Sequence, residues 1–167
     1  MQIEKTCFFT GHRRLPSAFY EKIRDLLETE IIKKYDEGIR DFITGGAWGF
    51  DTMAAEMVIY LKENYYHDMR LLLYLPCKDF GEDWPYEQRC ALHRIKCKAD
   101  WCQVITDKAY TDSCMKKRNE AMVISSCCGI AYKTNERTGT SQTVLMAQKQ
   151  NKPVVNIARL LEKDAVY

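Results

Sequence analysis

The chain has 167 residues, enough for one domain with a sizeable core. Its formal net charge of +2 supplies no basic field of the kind that nucleic-acid-binding surfaces carry, so any preference for anions has to come from local placement of Arg and His. The 46% hydrophobic and 29% charged content is that of a globular protein, and no apolar run approaches membrane-spanning length.

Thr6–Thr10 reads as a buried first strand that ends in Gly11-His12-Arg13-Arg14 and then Pro16-Ser17, with Ser17 expected as a helix cap. From Ala18 to Tyr35, apolar residues recur at helical spacing (Ile23, Leu27, Ile31), and Gly38 marks the stop. Asp41–Thr44 is the second strand. It runs into Gly45-Gly46-Ala47-Trp48-Gly49-Phe50-Asp51 and a helix through Leu61 capped by Gly49 or Asp51. Glycines at a strand-to-helix turn permit close backbone approach, and the helix start points free N–H groups into the gap, which suits an anion.

Arg70–Leu75 is the third strand. Trp84-Pro85-Tyr86 opens a helix to about Ala99, with Pro in its first turn. Trp101–Ile105 is strand four. The polar loop 106–113 precedes a helix bearing Arg118, Asn119 and Met122. Cys128–Tyr132 is strand five. A loop then reaches Thr138-Gly139-Thr140, followed by a helix from Ser141 to Gln150, strand six over Pro153–Ile157, and a tail from Ala158 that can form a short helix.

Strands alternating with helices of this length imply right-handed βαβ crossovers and a doubly wound parallel sheet with helices on both faces: a Rossmann-like α/β fold over residues 1–157, plus the tail 158–167. The expected strand order, 3-2-1-4-5-6, puts the topological switch point between strands one and four. Ligands of such sheets bind outside the carboxyl ends of the strands, and the loops rich in Gly, Arg, Asn and Thr all follow strands.

The candidate ligand-binding residues are therefore Gly11, His12, Arg13, Gly45, Gly46, Gly49, Asp51, Arg118, Asn119, Thr138, Gly139 and Thr140. His12 and Arg13 are read as cationic phosphate grips. Asp51 is read as a ribose or base contact, or equally as a helix cap. Trp48 and Phe50 are candidates to stack on a base, and Trp84 and Tyr86 to close over the pocket as a lid, with core packing as the competing role in each pair. An Arg at a helix start is poorly placed for the dipole unless it faces an anion, which argues for Arg118. Thr138-Gly139-Thr140 makes a phosphate cradle or simply a cap.

No G-x-x-x-x-G-K-[ST] and no G-x-G-x-x-G occurs, which argues against a P-loop NTPase and an ordinary NAD dehydrogenase. The eight cysteines form no C-x-x-C pair and the three histidines are scattered, so neither a metal site nor a cofactor is expected. With no apolar leader at its start and a regular α/β pattern, the chain is expected in the cytoplasm with its thiols reduced.

Phe9-Thr10-Gly11-His12-Arg13, Thr44-Gly45-Gly46-Ala47-Trp48-Gly49-Phe50-Asp51, Leu75-Pro76, Arg118-Asn119-x-x-Met122-Val123 and Thr138-Gly139-Thr140-x-x-Thr143 follow the order and spacing of the YspA-like branch of the SLOG superfamily. The chain resembles that branch over nearly its whole length. The superfamily also holds LOG phosphoribohydrolases and the single-strand DNA-binding DprA/Smf proteins.

The resemblance implies a domain that binds, senses or processes a nucleotide or nucleotide-derived ligand, with a homodimer suggested. LOG enzymes cleave the N-glycosidic bond of nucleoside 5′-monophosphates with an Arg and a Glu. Arg118 matches the catalytic Arg, but Thr143 stands where the Glu belongs, and such a reaction needs a carboxylate. Asp51 and Glu120 are the candidates to substitute. Further departures are Thr138 in place of a Gly, Cys127 in place of an Asp after Met-Val, and no Gln around Phe80-Gly81. Phosphoribohydrolase activity is thus the alternative reading. Single-strand nucleic-acid binding is a third, disfavoured by the near-neutral charge and the lack of basic runs interleaved with aromatics. No membrane partner is expected.

Overall fold

The computed structural model describes residues 2–111, 113–134 and 137–164. Parts of the expected loops and tail, namely Asp112, Asn135, Glu136 and residues 165–167, lie outside them. Six parallel strands form one sheet: β1 (Thr6–Gly11), β2 (Asp41–Thr44), β3 (Arg70–Leu75), β4 (Trp101–Val104), β5 (Cys128–Tyr132) and β6 (Val154–Asn156). Between and after them run α1 (Tyr20–Asp36), α2 (Phe50–Asn64), α3 (Tyr86–Lys98), α4 (Cys114–Ile124), α5 (Gly139–Lys149) and α6 (Ile157–Asp164). The Rossmann-like α/β class expected from the alternation is the observed one.

The strand order corrects the expectation. It is β4-β3-β2-β1-β5-β6, so β4 lies at the outer edge and β5, not β4, neighbours β1. The reason is visible in β4 itself. All four of its residues are exposed, including Trp101, whereas β5 is buried throughout. A central strand of a parallel sheet is covered on both faces and must be apolar. The polar, solvent-facing sequence Trp101-Cys102-Gln103-Val104 belongs at an edge. The switch point accordingly falls between β1 and β5.

The two faces are covered unequally. Phe9, Phe42, Leu71, Leu73 and Ile130 pack under α1, α2, α3 and α6, in a core that holds Ile23, Leu27, Ile31, Phe50 and Leu61 at no more than 1% exposure. Phe8, Ile43, Leu72 and Tyr74 face α4 and α5 through Met122, Val123 and Ala147. The buried Asp41 carboxylate takes two hydrogen bonds of 2.7 Å from Arg70, which fixes the β2–β3 register at the end away from the loops.

Helix starts differ from expectation in two places. Ser17 begins a short 3-10 turn, Ser17–Phe19, and does not cap α1, whose cap is Phe19 without a side-chain bond. Gly139 and Thr140 already belong to α5, with Thr138 as its cap. Among the described residues no helix is long and apolar enough to cross a membrane.

Candidate functional site

A cavity of about 900 Å³ opens at the carboxyl edge of the sheet, over the β1/β5 switch point. That is at the upper end of the range for small-molecule sites. Its wall is built from the β1 loop (Gly11 to Pro16), Ala47 and Asp51 from the β2–α2 turn, Arg118 and Asn119 from α4, and Tyr132, Thr134, Thr138, Gly139 and Thr140 on the β5 side.

Of the candidates, Gly11, His12, Arg13, Asp51, Arg118, Asn119, Thr138, Gly139 and Thr140 come together on this wall, whereas Gly45, Gly46 and Gly49 do not line it. The three glycines of the β2–α2 turn serve the protein's own packing. A Cβ on Gly45 would lie 1.6 Å from Nη1 of Arg118, and Arg118 donates a hydrogen bond to the Gly45 carbonyl. Gly49, at φ +85°, backs onto the Arg13 backbone, and Gly46, at φ +70°, presses on Leu73. Thr44 and Thr52 hydroxyls tie the same turn, donating to the carbonyls of Asp51 (3.2 Å) and Ala47 (2.9 Å).

Arg118 sits in the second turn of α4 and not at its start, and it is buried. Besides Gly45, its Nε donates to Oδ1 of Asn119 at 2.8 Å. Burial pulls its guanidinium pKa down, an effect the Asp51 charge opposes. Asp51 is equally buried, and desolvation raises its carboxyl from 3.8 to about 6 against the pull of Arg118, the Ala47 N–H and Arg13. The two do not form a direct ion pair among the described residues, so each keeps polar capacity toward the cavity. Asp51 is the second residue of α2 and Gly49 is its cap, which settles the capping alternative in favour of Gly49.

His12 also bridges two loops on this wall. Its Nε2 accepts the Thr134 backbone N–H at 3.0 Å, with the Thr134 hydroxyl at the same distance. These bonds clasp the β5 loop to the β1 loop. Arg13 lays its guanidinium 4.6 Å from the Trp48 ring centroid. Trp48 packs edge-on to Trp84 (4.7 Å) and Trp84 to Phe80 (4.8 Å), so these tryptophans buttress Arg13 from outside the cavity. Phe50 is fully buried against Tyr132, and Tyr86 points to solvent. None of the four lines the cavity.

At α5 the geometry is open. A Cβ on Gly139 would meet nothing within 4 Å. Thr140 is 7% exposed and faces the cavity, its hydroxyl without a hydrogen-bond partner among the described residues. Thr143 is turned away. It is fully buried, and its hydroxyl donates to the Gly139 carbonyl at 2.8 Å. Tyr132, Thr134 and Thr10 also line the cavity, unforeseen from the sequence, as does Arg14, the third cationic residue of the β1 loop. Tyr132 and Thr134 follow from the position of β5 beside β1, which a polar strand four could have signalled. Among the described residues no group of His, Cys, Asp or Glu could hold a metal ion.

The fold is that of a Rossmann-like α/β protein, with the cavity at the switch point. The model of the YspA SLOG family matches residues 9–163, and the chain belongs to that family. Relatives include UPF0398 proteins of Enterococcus faecalis, 24% identical over 77% of this chain and 75% of the relative, and of Latilactobacillus sakei, 22% identical over 81% and 76%. Two solved structures share the fold. DNA processing protein A from Helicobacter pylori, described for its single-stranded DNA binding, has a TM-score of 0.65 at 19% identity, covering 96% of this chain and 72% of that one. DprA from Streptococcus pneumoniae has a TM-score of 0.67 at 14% identity, covering 91% and 49%.

Proposed function

We propose that this protein binds a nucleotide or nucleotide-derived small molecule in the switch-point cavity, with a phosphate at the start of α5. The observation that carries the reading is the open polar geometry there. Gly139 is bare toward open space, and Thr140, 7% exposed at a helix N-terminus, has a hydroxyl without a hydrogen-bond partner among the described residues, on the same cavity as Arg13 and Arg14. Helix-start N–H groups, the dipole and two guanidiniums suit a phosphate. Asp51 and Asn119, deeper in the wall, suit sugar hydroxyls or a base edge. The reading is of a cytoplasmic protein whose partner is a small molecule and not nucleic acid or a membrane.

Calorimetry against AMP, ADP, ADP-ribose, NAD and cyclic dinucleotides tests this. At least one binds the wild type, and Gly139→Asp, which adds a carboxylate at the helix start without a clash, lowers its affinity by about tenfold or more while the protein stays folded. Binding by none of them, or unaltered binding by the variant, overturns the reading.

A second reading rests on Asp51, which places a carboxyl on the cavity wall near Arg118 while Thr143 supplies none. In it, the protein hydrolyses the N-glycosidic bond of a nucleoside monophosphate, and Asp51 takes the proton of the attacking water. Free base released from AMP and lost in Asp51→Asn supports it. Inertness toward purine and pyrimidine monophosphates alike removes it.

A further inference from the structure

At the opposite end of the sheet, away from the cavity, three thiols meet. Cys7 of β1 and Cys128 of β5 stand directly opposite one another in the parallel register. Both are buried in the same core cluster, and Cys127 packs half-buried at its edge. The Sγ of Cys127 donates to the carbonyls of Thr6 (3.3 Å) and Glu4 (3.4 Å), and that of Cys7 to the Phe8 carbonyl (3.7 Å), so it is the strand register that sets Cys128 against Cys7. Side chains in register on neighbouring parallel strands leave the same face of the sheet. The strand spacing of about 4.8 Å falls inside the roughly 4.4–6.8 Å Cα separation that a disulfide requires.

The charges around the pair are also arranged for it. Burial raises the Cys7 thiol well above its ordinary pKa, and the Cys128 sulfur beside it adds to the effect. The neighbouring Cys7 thiol draws Cys128 down to about 7, with the Lys34 ammonium adding to the effect against burial. Lys34 lies on α1 and is itself mostly buried, paired with Glu37 at 2.6 Å. A neighbouring thiol and an ammonium favour the thiolate form of a cysteine.

We propose that Cys128 and Cys7 form a redox-active dithiol that peroxide oxidises to a cross-strand disulfide. The Cys128 thiolate attacks one peroxide oxygen. The S–O bond forms as the O–O bond breaks, giving a sulfenic acid and hydroxide, which leaves as water. The Cys7 sulfur then displaces the sulfenic oxygen. The S–S bond forms as S–O breaks, and the Cys7 proton departs with the second water. The two thiols together lose two electrons and two protons, and one peroxide becomes two waters.

The disulfide would join β1 to β5 below the switch point, so its state is felt by the two strands whose upper ends carry His12 and Thr134.

The test is peptide mapping of the full-length folded chain after treatment with equimolar hydrogen peroxide, quenched by alkylation under denaturing conditions. The expected product is 2 Da lighter, with Cys7 and Cys128 joined and the other six thiols alkylated. In Cys7→Ala, Cys128 stops at the sulfenic acid and is trapped by dimedone. The exposed Cys97 and Cys102 are internal competitors in every sample. Their oxidation while Cys7 and Cys128 remain alkylated overturns the proposal, as does a link between Cys127 and Cys128. The wild-type map decides the question even where a variant does not fold.

Discussion

Replacing Gly45 by Ala should act on Arg118 and not on a bound ligand. The backbone at Gly45 has no positive φ, so Ala is conformationally admissible there, and by itself would stabilise the fold by about 0.4–1 kcal/mol through the unfolded chain. The new Cβ, however, falls 1.6 Å from Nη1 of Arg118. The guanidinium is 3% exposed and has nowhere to move without leaving the Gly45 carbonyl. A hydrogen bond from a charged group is worth about 1.5–3 kcal/mol. Gly45→Ala should therefore cost the ligand-free protein about 1–3 kcal/mol, read as a lowered urea midpoint at unchanged m-value. In an Arg118→Ala background the same change should cost nothing, or stabilise by up to about 1 kcal/mol. The sign reversal is the coupling between the two sites. Equal effects in both backgrounds refute the argument. A loss of ligand affinity without loss of stability in Gly45→Ala would return the glycine to the ligand-approach role suggested by its sequence.

The remaining expectations concern the other wall residues. Because the folded state holds the Asp51 proton up to about pH 6, against 3.8 in the ordinary carboxyl, the folded chain binds more protons than the unfolded one across that interval. Asp51 thus favours folding at low pH, and this contribution is lost as pH rises from about 4 to about 6, by on the order of 3 kcal/mol. Denaturation midpoints of wild type and Asp51→Asn should diverge accordingly, and parallel pH profiles would contradict the burial argument. Thr143→Glu should not restore a catalytic carboxylate. It forces a charge into a fully buried position and should destabilise by about 3 kcal/mol or more, seen as a large drop in melting temperature. His12→Ala removes the acceptor of the Thr134 N–H and should cost about 1 kcal/mol, with amide exchange at Thr134 faster by roughly tenfold.

The alternation of apolar strands and amphipathic helices was enough to read the fold class, because period-2 and period-3.6 patterns mark which surfaces are buried. Strand order was not legible in the same way. Nothing local distinguishes a chain that crosses from β4 to a neighbour of β1 from one that does not, except the polar character of Trp101–Val104. Site residues could be gathered to one edge by their place after strands, and nine of the twelve candidates lie on one cavity wall. Their roles were hidden, because each is set by a contact distant in sequence. Gly45 is defined by Arg118, 73 residues on, and His12 by Thr134, 122 residues on. A glycine turn and a histidine after a strand look the same whether they await a ligand or hold another loop.

The order of the strands divides the sheet into two consecutive pieces of chain. β1 to β4 stand side by side on one flank, and β5 and β6 on the other. The cavity lies on the seam, with Arg13, Asp51 and Ala47 from the first piece and Arg118, Asn119 and Thr140 from the second. A molecule bound there touches both pieces, so its binding free energy is also adhesion between them. Were the connection from β4 to α4 cut, the two fragments would reassemble more tightly in the presence of that molecule than without it. Fragment complementation would then offer a screen for ligands in which association itself is the signal.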